Sequence, residues 1–166
     1  FYANRCIIPY INEGLRMVAE GVAPALVENA ALSLGMPVGP LQLVDETSLE
    51  LGLSIARATR EGEGQPFPSD PSEALLLAMV ETHDRKGRKN GRGIYDYDEK
   101  GKRRGFWPGL AEHFPRAAEQ PSVETVKDRL ILVQALEAAR ALEEGVLMDI
   151  REGDVGAILG WGFAPW

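Results

Sequence analysis

A chain of 166 residues, 45% hydrophobic and 26% charged, suffices for one ordinary domain or two small ones and has a folded rather than a disordered composition. Its 18 basic and 25 acidic side chains leave a formal charge of −7, which argues against the basic footprint of a nucleic-acid binder. No apolar run approaches the roughly 20 residues of a membrane span, and one cysteine, Cys6, and two histidines offer neither an internal disulfide nor a metal-ligand cluster, so a cytoplasmic setting is expected.

Ile7, Ile11, Leu15 and Val18 recur at spacings of four, four and three, the stripe of an amphipathic helix over residues 4–20, with Asn4 as its N-cap and Gly21 as its stop. Pro24 heads a second, shorter helix that ends at Gly35, and the Gly35-Met36-Pro37-Val38-Gly39-Pro40 run is a stiff connector. A long helix over 41–60, bent around 45–48, follows. Residues 61–69 form a polar loop. Asp70-Pro71-Ser72-Glu73 is a capping box with proline at the first helical position, opening a helix to about His83. Residues 84–92 are basic and glycine-rich, and Gly93-Ile94-Tyr95-Asp96-Tyr97 alternates like a short strand or extended arm. A charged loop over 100–108 precedes a helix over 110–118. Beyond Pro121, the spacing of Val126, Leu130, Val133 and Ala141 predicts a long helix to about Glu144, and Asp149 with Glu152 predicts a second capping box for a last helix to Leu159. The expected fold class is all-α.

An internal repeat underlies this order. At an offset of 124, Glu13, Arg16, Glu20, Gly21 and Val22 fall on Glu137, Arg140, Glu144, Gly145 and Val146, and Glu28 falls on Glu152. After one inserted residue, residues 35–40 meet Gly160-Trp161-Gly162-Phe163-Ala164-Pro165. Each copy reads long helix, Glu-Gly-Val, short helix, Gly/Pro-rich turn. The second lacks a counterpart to the helix after Pro40. With Phe1 at one end and Trp166 in a turn at the other, the chain reads as a fragment of a longer protein.

Asn4-Arg5, Pro9-Tyr10 and Asn12-Glu13, then residues 35–40, Leu43 and Asp45, then Lys86-Gly87-Arg88-Lys89-Asn90-Gly91-Arg92-Gly93-Ile94-Tyr95-Asp96-Tyr97, occur in the order of a known family. As a set they resemble the C-terminal domain of 3-hydroxyacyl-CoA dehydrogenases, and residues 121–166 resemble a second, partial copy. Such paired copies are a feature of the multifunctional fatty-acid β-oxidation proteins of the α-subunit type. The resemblance implies a helical domain like the C-terminal domain of 6-phosphogluconate dehydrogenase, divided into a first unit (1–98), a linker (99–120) and a second, truncated unit (121–166).

The activity it implies is NAD-dependent oxidation of a 3-hydroxyacyl-CoA. An upstream Rossmann domain supplies the nucleotide site and a His–Glu acid–base pair; an enoyl-CoA hydratase domain and a thiolase subunit are further expected partners. This chain has no GxGxxG turn, and neither His83 nor His113 stands in the family's catalytic setting, so the fragment alone is expected to bind no cofactor and to be inactive. The resemblance gives one catalytic-site residue, Asn4, whose neutral amide would position the substrate oxygen and the catalytic histidine.

Of the remaining residues, Lys86, Arg88, Lys89 and Arg92 either meet CoA phosphates or form a solvated loop. His83 and His113 read as surface helix ends, and Cys6 as a packed side chain without an activating base. Met36, Trp161 and Phe163 are expected to pack between the two copies, and Tyr95 and Tyr97 to anchor the arm. Two other readings stand beside the dehydrogenase fragment: a non-catalytic helical dimerisation or interaction module, and the helical domain of another β-hydroxyacid-type dehydrogenase.

Overall fold

The computed structural model describes residues 2–164. Its elements are α1 (Tyr2–Ala19), α2 (Pro24–Ser33), α3 (Pro40–Thr47), α4 (Leu49–Glu63), α5 (Pro71–Leu77), β1 (Tyr95–Tyr97), β2 (Arg103–Phe106), α6 (Gly109–His113), α7 (Val123–Glu143) and α8 (Ile150–Trp161). A π-helical turn over Ala78–Thr82 extends α5, and a 3-10 turn spans Arg88–Asn90. The fold is all-α, with one two-stranded antiparallel hairpin that pairs Tyr95 with Phe106.

α1 is the central element, packed against α7, α5 and α3. Its stripe buries Tyr10, Leu15, Met17 and Val18 with Leu41, Leu75, Leu76, Met79 and Leu130 from the surrounding helices. Each buried side chain of this size contributes about 1.5–3 kcal/mol, so the helical periodicity becomes fold stability at this face.

Local signals account for most boundaries, and where the structure departs from expectation the cause is visible. α1 begins at Tyr2, so Asn4 lies inside the first turn and is not an N-cap. The helix expected over 41–60 is two helices, because Ser48 adopts φ 96°. Its Oγ then accepts from Leu51 N (3.5 Å) to start α4, while Leu49 N donates to Lys86 O (3.1 Å). The Asp70 capping box forms in full. At α8 only the aspartate half does: Asp149 accepts from Arg151 N. Residues 103–106 pair as β2 rather than looping. The helix expected over 110–118 stops at His113, since the chain swings away to donate Ala117 N to Gly21 O (2.9 Å). Gly21 is required there: at φ 93°, a Cβ would stand 2.7 Å from Ala117 N.

The offset of 124 recurs in the hydrogen bonding. Gly21 N donates to Val18 O (3.0 Å) and Val22 N to Met17 O (2.8 Å); Gly145 N donates to Leu142 O (3.1 Å) and Val146 N to Ala141 O (2.9 Å). Both helix ends are Schellman motifs on a left-handed glycine. It recurs in the ion pairs as well. Arg5 of α1 reaches Glu137 (3.2 Å) of α7 and Glu144 (2.5 Å) just beyond its end, and Arg129 of α7 reaches Glu13 (2.5 Å) of α1 and Glu20 (2.6 Å) just beyond its end. In addition α2 packs on α7 as α8 packs on α1. Reciprocity of this kind is the signature of an isologous contact, here within one chain.

The sequence alignment of the repeat needs two changes after Gly145. The connector before α8 is two residues longer, so the helix starts Pro24 and Ile150 correspond at an offset of 126, and Glu28 corresponds to Asp154 instead of Glu152. Gly160 lies within α8, and the left-handed glycine closing that helix is Gly162.

Candidate functional site

The amino end of α1 is braced from two sides. Tyr2 packs edge-to-face on Trp161 of α8 (ring centroids 5.3 Å apart), and Arg5 is held by Glu137 of α7 and by Glu144 just after it. Trp161 is itself fixed, its indole N–H donating to Oε1 of the buried Gln134 (3.0 Å). Burial pushes the Tyr2 phenol up to about 12, and it pushes the Cys6 thiol up as well, so Cys6 is a packed thiol without thiolate character. Between these anchors Asn4 is exposed, and its amide is unengaged by the described residues. A neutral donor–acceptor group is thus presented to solvent from a rigid three-helix platform, suited to hydrogen-bond an oxygen arriving from outside.

A second polar cluster holds the arm. Asp45 of α3 is buried, and its carboxylate accepts from Ile94 N (2.7 Å), Tyr95 N (2.9 Å) and Tyr97 Oη (3.0 Å). Burial pushes it up to about 6 against those donors. Glu28 of α2 accepts from Tyr95 Oη (3.0 Å) and from Leu41 N (2.7 Å) at the first turn of α3, and burial raises it as well. Buried Arg85 donates to Gly93 O (2.7 Å), Tyr95 O (3.1 Å) and Asp96 (2.5 Å). Tyr95 and Tyr97 do anchor the arm, through carboxylates that their sequence positions did not reveal. Asp45, Glu28 and Arg85 are all spent on holding the arm, through its backbone and its tyrosine hydroxyls, which makes the cluster a structural latch.

The histidines, 30 residues apart, come together. His83 and His113 pack at a tilt with ring centroids 4.1 Å apart and share Trp107 at 4.9 and 5.6 Å; the Arg85 guanidinium lies 4.5 Å over the same indole. Burial, His113 and Arg85 together hold His83 below the usual imidazole range. No carboxylate bonds either ring among the described residues, so the pair lacks the orienting partner of a catalytic base.

The basic segment divides. Lys86 pairs with Glu50 (3.4 Å) and Asp84 (3.7 Å), and Arg92 with Asp84 (3.5 Å). Arg88 donates to Gly101 O (3.2 Å), and Lys89 is exposed. Two of the four cations are therefore partly neutralised within the fold. A dinucleotide does not fit the described residues: the only strands form a hairpin whose connection, residues 98–102, folds back on Asp98 through Lys100 N and Lys102 N instead of opening a helix N-terminus toward a pyrophosphate. No described helix is long and apolar enough to cross a membrane.

Residues 1–97 match the family described as "3-hydroxyacyl-CoA dehydrogenase, C-terminal domain". Among solved structures, a 3-hydroxybutyryl-CoA dehydrogenase from Escherichia coli K12 (substr. MG1655) superposes with a TM-score of 0.67 at 20% identity, a likeness of fold. The match takes in 98% of this chain and 50% of that one, so the chain spans about half the length of that enzyme. On the family match, which covers more than half of its residues, the chain belongs to the 3-hydroxyacyl-CoA dehydrogenase C-terminal domain family.

Proposed function

We propose that this chain is the helical part of an NAD-dependent 3-hydroxyacyl-CoA dehydrogenase of fatty-acid β-oxidation, multifunctional in type, and that it contributes substrate-cleft surface and assembly contacts. In this reading an upstream Rossmann domain holds the nucleotide and the acid–base pair, and a hydratase domain and a thiolase subunit complete the cytoplasmic assembly. The chain's own chemical contribution is Asn4: its Nδ2 donates to the substrate oxygen as hydroxyl becomes ketone, and its Oδ1 accepts from the catalytic histidine. The observation that carries the reading is this exposed, unengaged amide on a braced helix end, inside the segment that matches the family.

The assembly contribution rests on the reciprocal Arg5 and Arg129 ion pairs. They support two related units, 1–98 and 121–166 joined by 99–120, docked as an internal pseudo-dimer through α1 and α7. The test is NAD reduction by the polypeptide that carries both this chain and its upstream domain, with short 3-hydroxyacyl-CoA substrates. Turnover of those thioesters supports the reading. Turnover only of free 3-hydroxy acids would move the chain to another β-hydroxyacid dehydrogenase, and no turnover with either would leave it a non-catalytic module.

A further inference from the structure

The first turn of α1 is pinned from outside, by α7 and α8. The leading N–H groups of a helix have no intrahelical acceptor, so a first turn frays unless side chains hold it. Here Tyr2, Ala3 and Arg5 are all partly buried, and Asn4 alone among residues 2–5 is exposed. The Tyr2 ring lies along α8, where Gly153 and Gly156 leave room for it: a Cβ on these would come within 3.4 and 3.6 Å of the tyrosine. A Cβ on Gly160, one turn on, would stand 3.7 Å from the Ala3 methyl. Trp161 closes the contact by meeting Tyr2 edge-to-face, and Arg5 is tied to Glu137 and Glu144. Every neighbour of Asn4 in this turn is therefore held, while its own amide is left for something else.

The anchor of this contact lies deeper. Gln134 is the one buried polar residue of α7. Its Nε2 donates to Leu130 O (2.9 Å), which leaves Oε1 to accept from the Trp161 indole N–H (3.0 Å). A glutamine fixed to the backbone at one end thus fixes the indole at the other, and the indole fixes the Tyr2 ring. We infer that Gln134, Trp161 and Tyr2 form a positioning relay that sets the place of the Asn4 amide, so that α7 and α8 serve the reaction without touching substrate. Misplacing a reacting group by about 1 Å can cost about a hundredfold in rate, so a frayed first turn lowers kcat even where the fold survives. This assigns positioning roles to three residues that no catalytic pattern in the sequence singled out.

The inference rests on the dehydrogenase reading of Asn4, and the experiment separates the two. In the polypeptide that carries this chain and its upstream domain, kcat and KM for a short 3-hydroxyacyl-CoA are measured per folded molecule for Trp161→Ala, Asn4→Ala and the double variant. Trp161→Ala is expected to lower kcat about tenfold with KM within about twofold, and to lower it no further once Asn4 is alanine. Trp161→Phe, which keeps a ring against Tyr2, should recover most of that loss. Gln134→Leu, which removes the acceptor that orients the indole, should fall between them, and these two variants carry the test if Trp161→Ala does not fold. Leu159→Ala, exposed on the same helix, should leave kcat unchanged. The inference is overturned, with the dehydrogenase reading intact, if Asn4→Ala lowers kcat and the relay variants do not. It is equally overturned if they lower kcat by the same factor whether or not Asn4 is present, since that is a loss of general structure. An Asn4→Ala enzyme with unchanged kcat removes the reading and the relay together.

Discussion

Arg5 and Arg129 stand 124 residues apart and make the same ion pairs in opposite directions, each crossing the α1–α7 contact to two glutamates. The pairs are alike in topology and unlike in burial. Glu13, which receives Arg129, has a 6% exposed side chain, whereas Glu144, which receives Arg5, has 56%. Removing a partner from a buried carboxylate costs more than removing one from an exposed carboxylate. Glu13 keeps Arg16 as a second partner, which moderates the loss. Arg129→Ala is expected to destabilise the fold by about 1–2 kcal/mol in urea unfolding, and Arg5→Ala by less. Equal losses would mean that burial does not set the strength of this interface.

Gly93 is the tightest point of the arm. A Cβ on Gly93 would collide with the Asp45 carboxylate, which must stay in place to accept from Ile94 N and Tyr95 N. Gly93→Ala therefore forces the arm off α3 and strands a buried carboxylate, at a cost of about 3 kcal/mol or more. Amide exchange should locate the damage, with Ile94 and Tyr95 N–H losing protection while α7 keeps it. Uniform loss across the chain would contradict a local latch.

The paired histidines give the fold a defined response to acid. Burial, His113 and Arg85 hold the folded-state pKa of His83 below its unfolded value of about 6.5. The folded state thus prefers the neutral ring. Its stabilising contribution is complete above that pH and is lost as pH falls toward the folded pKa. Stability measured from pH 7.5 down to 5.5 should fall for the wild type and fall less steeply for His83→Asn. Parallel curves would show that the pair does not titrate with folding.

What was legible in the sequence follows from what is local. The stripe through Ile7, Ile11, Leu15 and Val18, the Asp70 box and the Glu-Gly-Val repeat each depend on residues within a few turns, and each reappears in the structure. The irregularity at 45–48 was legible as a bend, but not as a break into two helices, because a positive φ at serine has no signature of its own. β2 was hidden because Arg103, Arg104 and Gly105 are all exposed, leaving no alternation to read. The burial of Asp45 and Glu28 has no local signal, since a distant arm brings them N–H and O–H donors. His83 and His113 were weighed separately, and tertiary packing makes them one cluster. Asn4 is the reverse case: its place in the chain was legible, but the cap expected of it does not form, and no described residue engages its amide.

That free amide carries the central claim, and Asn4→Ala in the polypeptide with its upstream dehydrogenase domain tests it most directly. Because Asn4 is exposed and bonds no described residue, the substitution should leave the melting temperature unchanged. If the amide meets the reacting oxygen chiefly in the transition state, kcat for a short 3-hydroxyacyl-CoA should fall about tenfold or more, equivalent to about 1.4 kcal/mol, with little change in KM. An unchanged kcat at unchanged stability would contradict the claim and leave this chain as a scaffold.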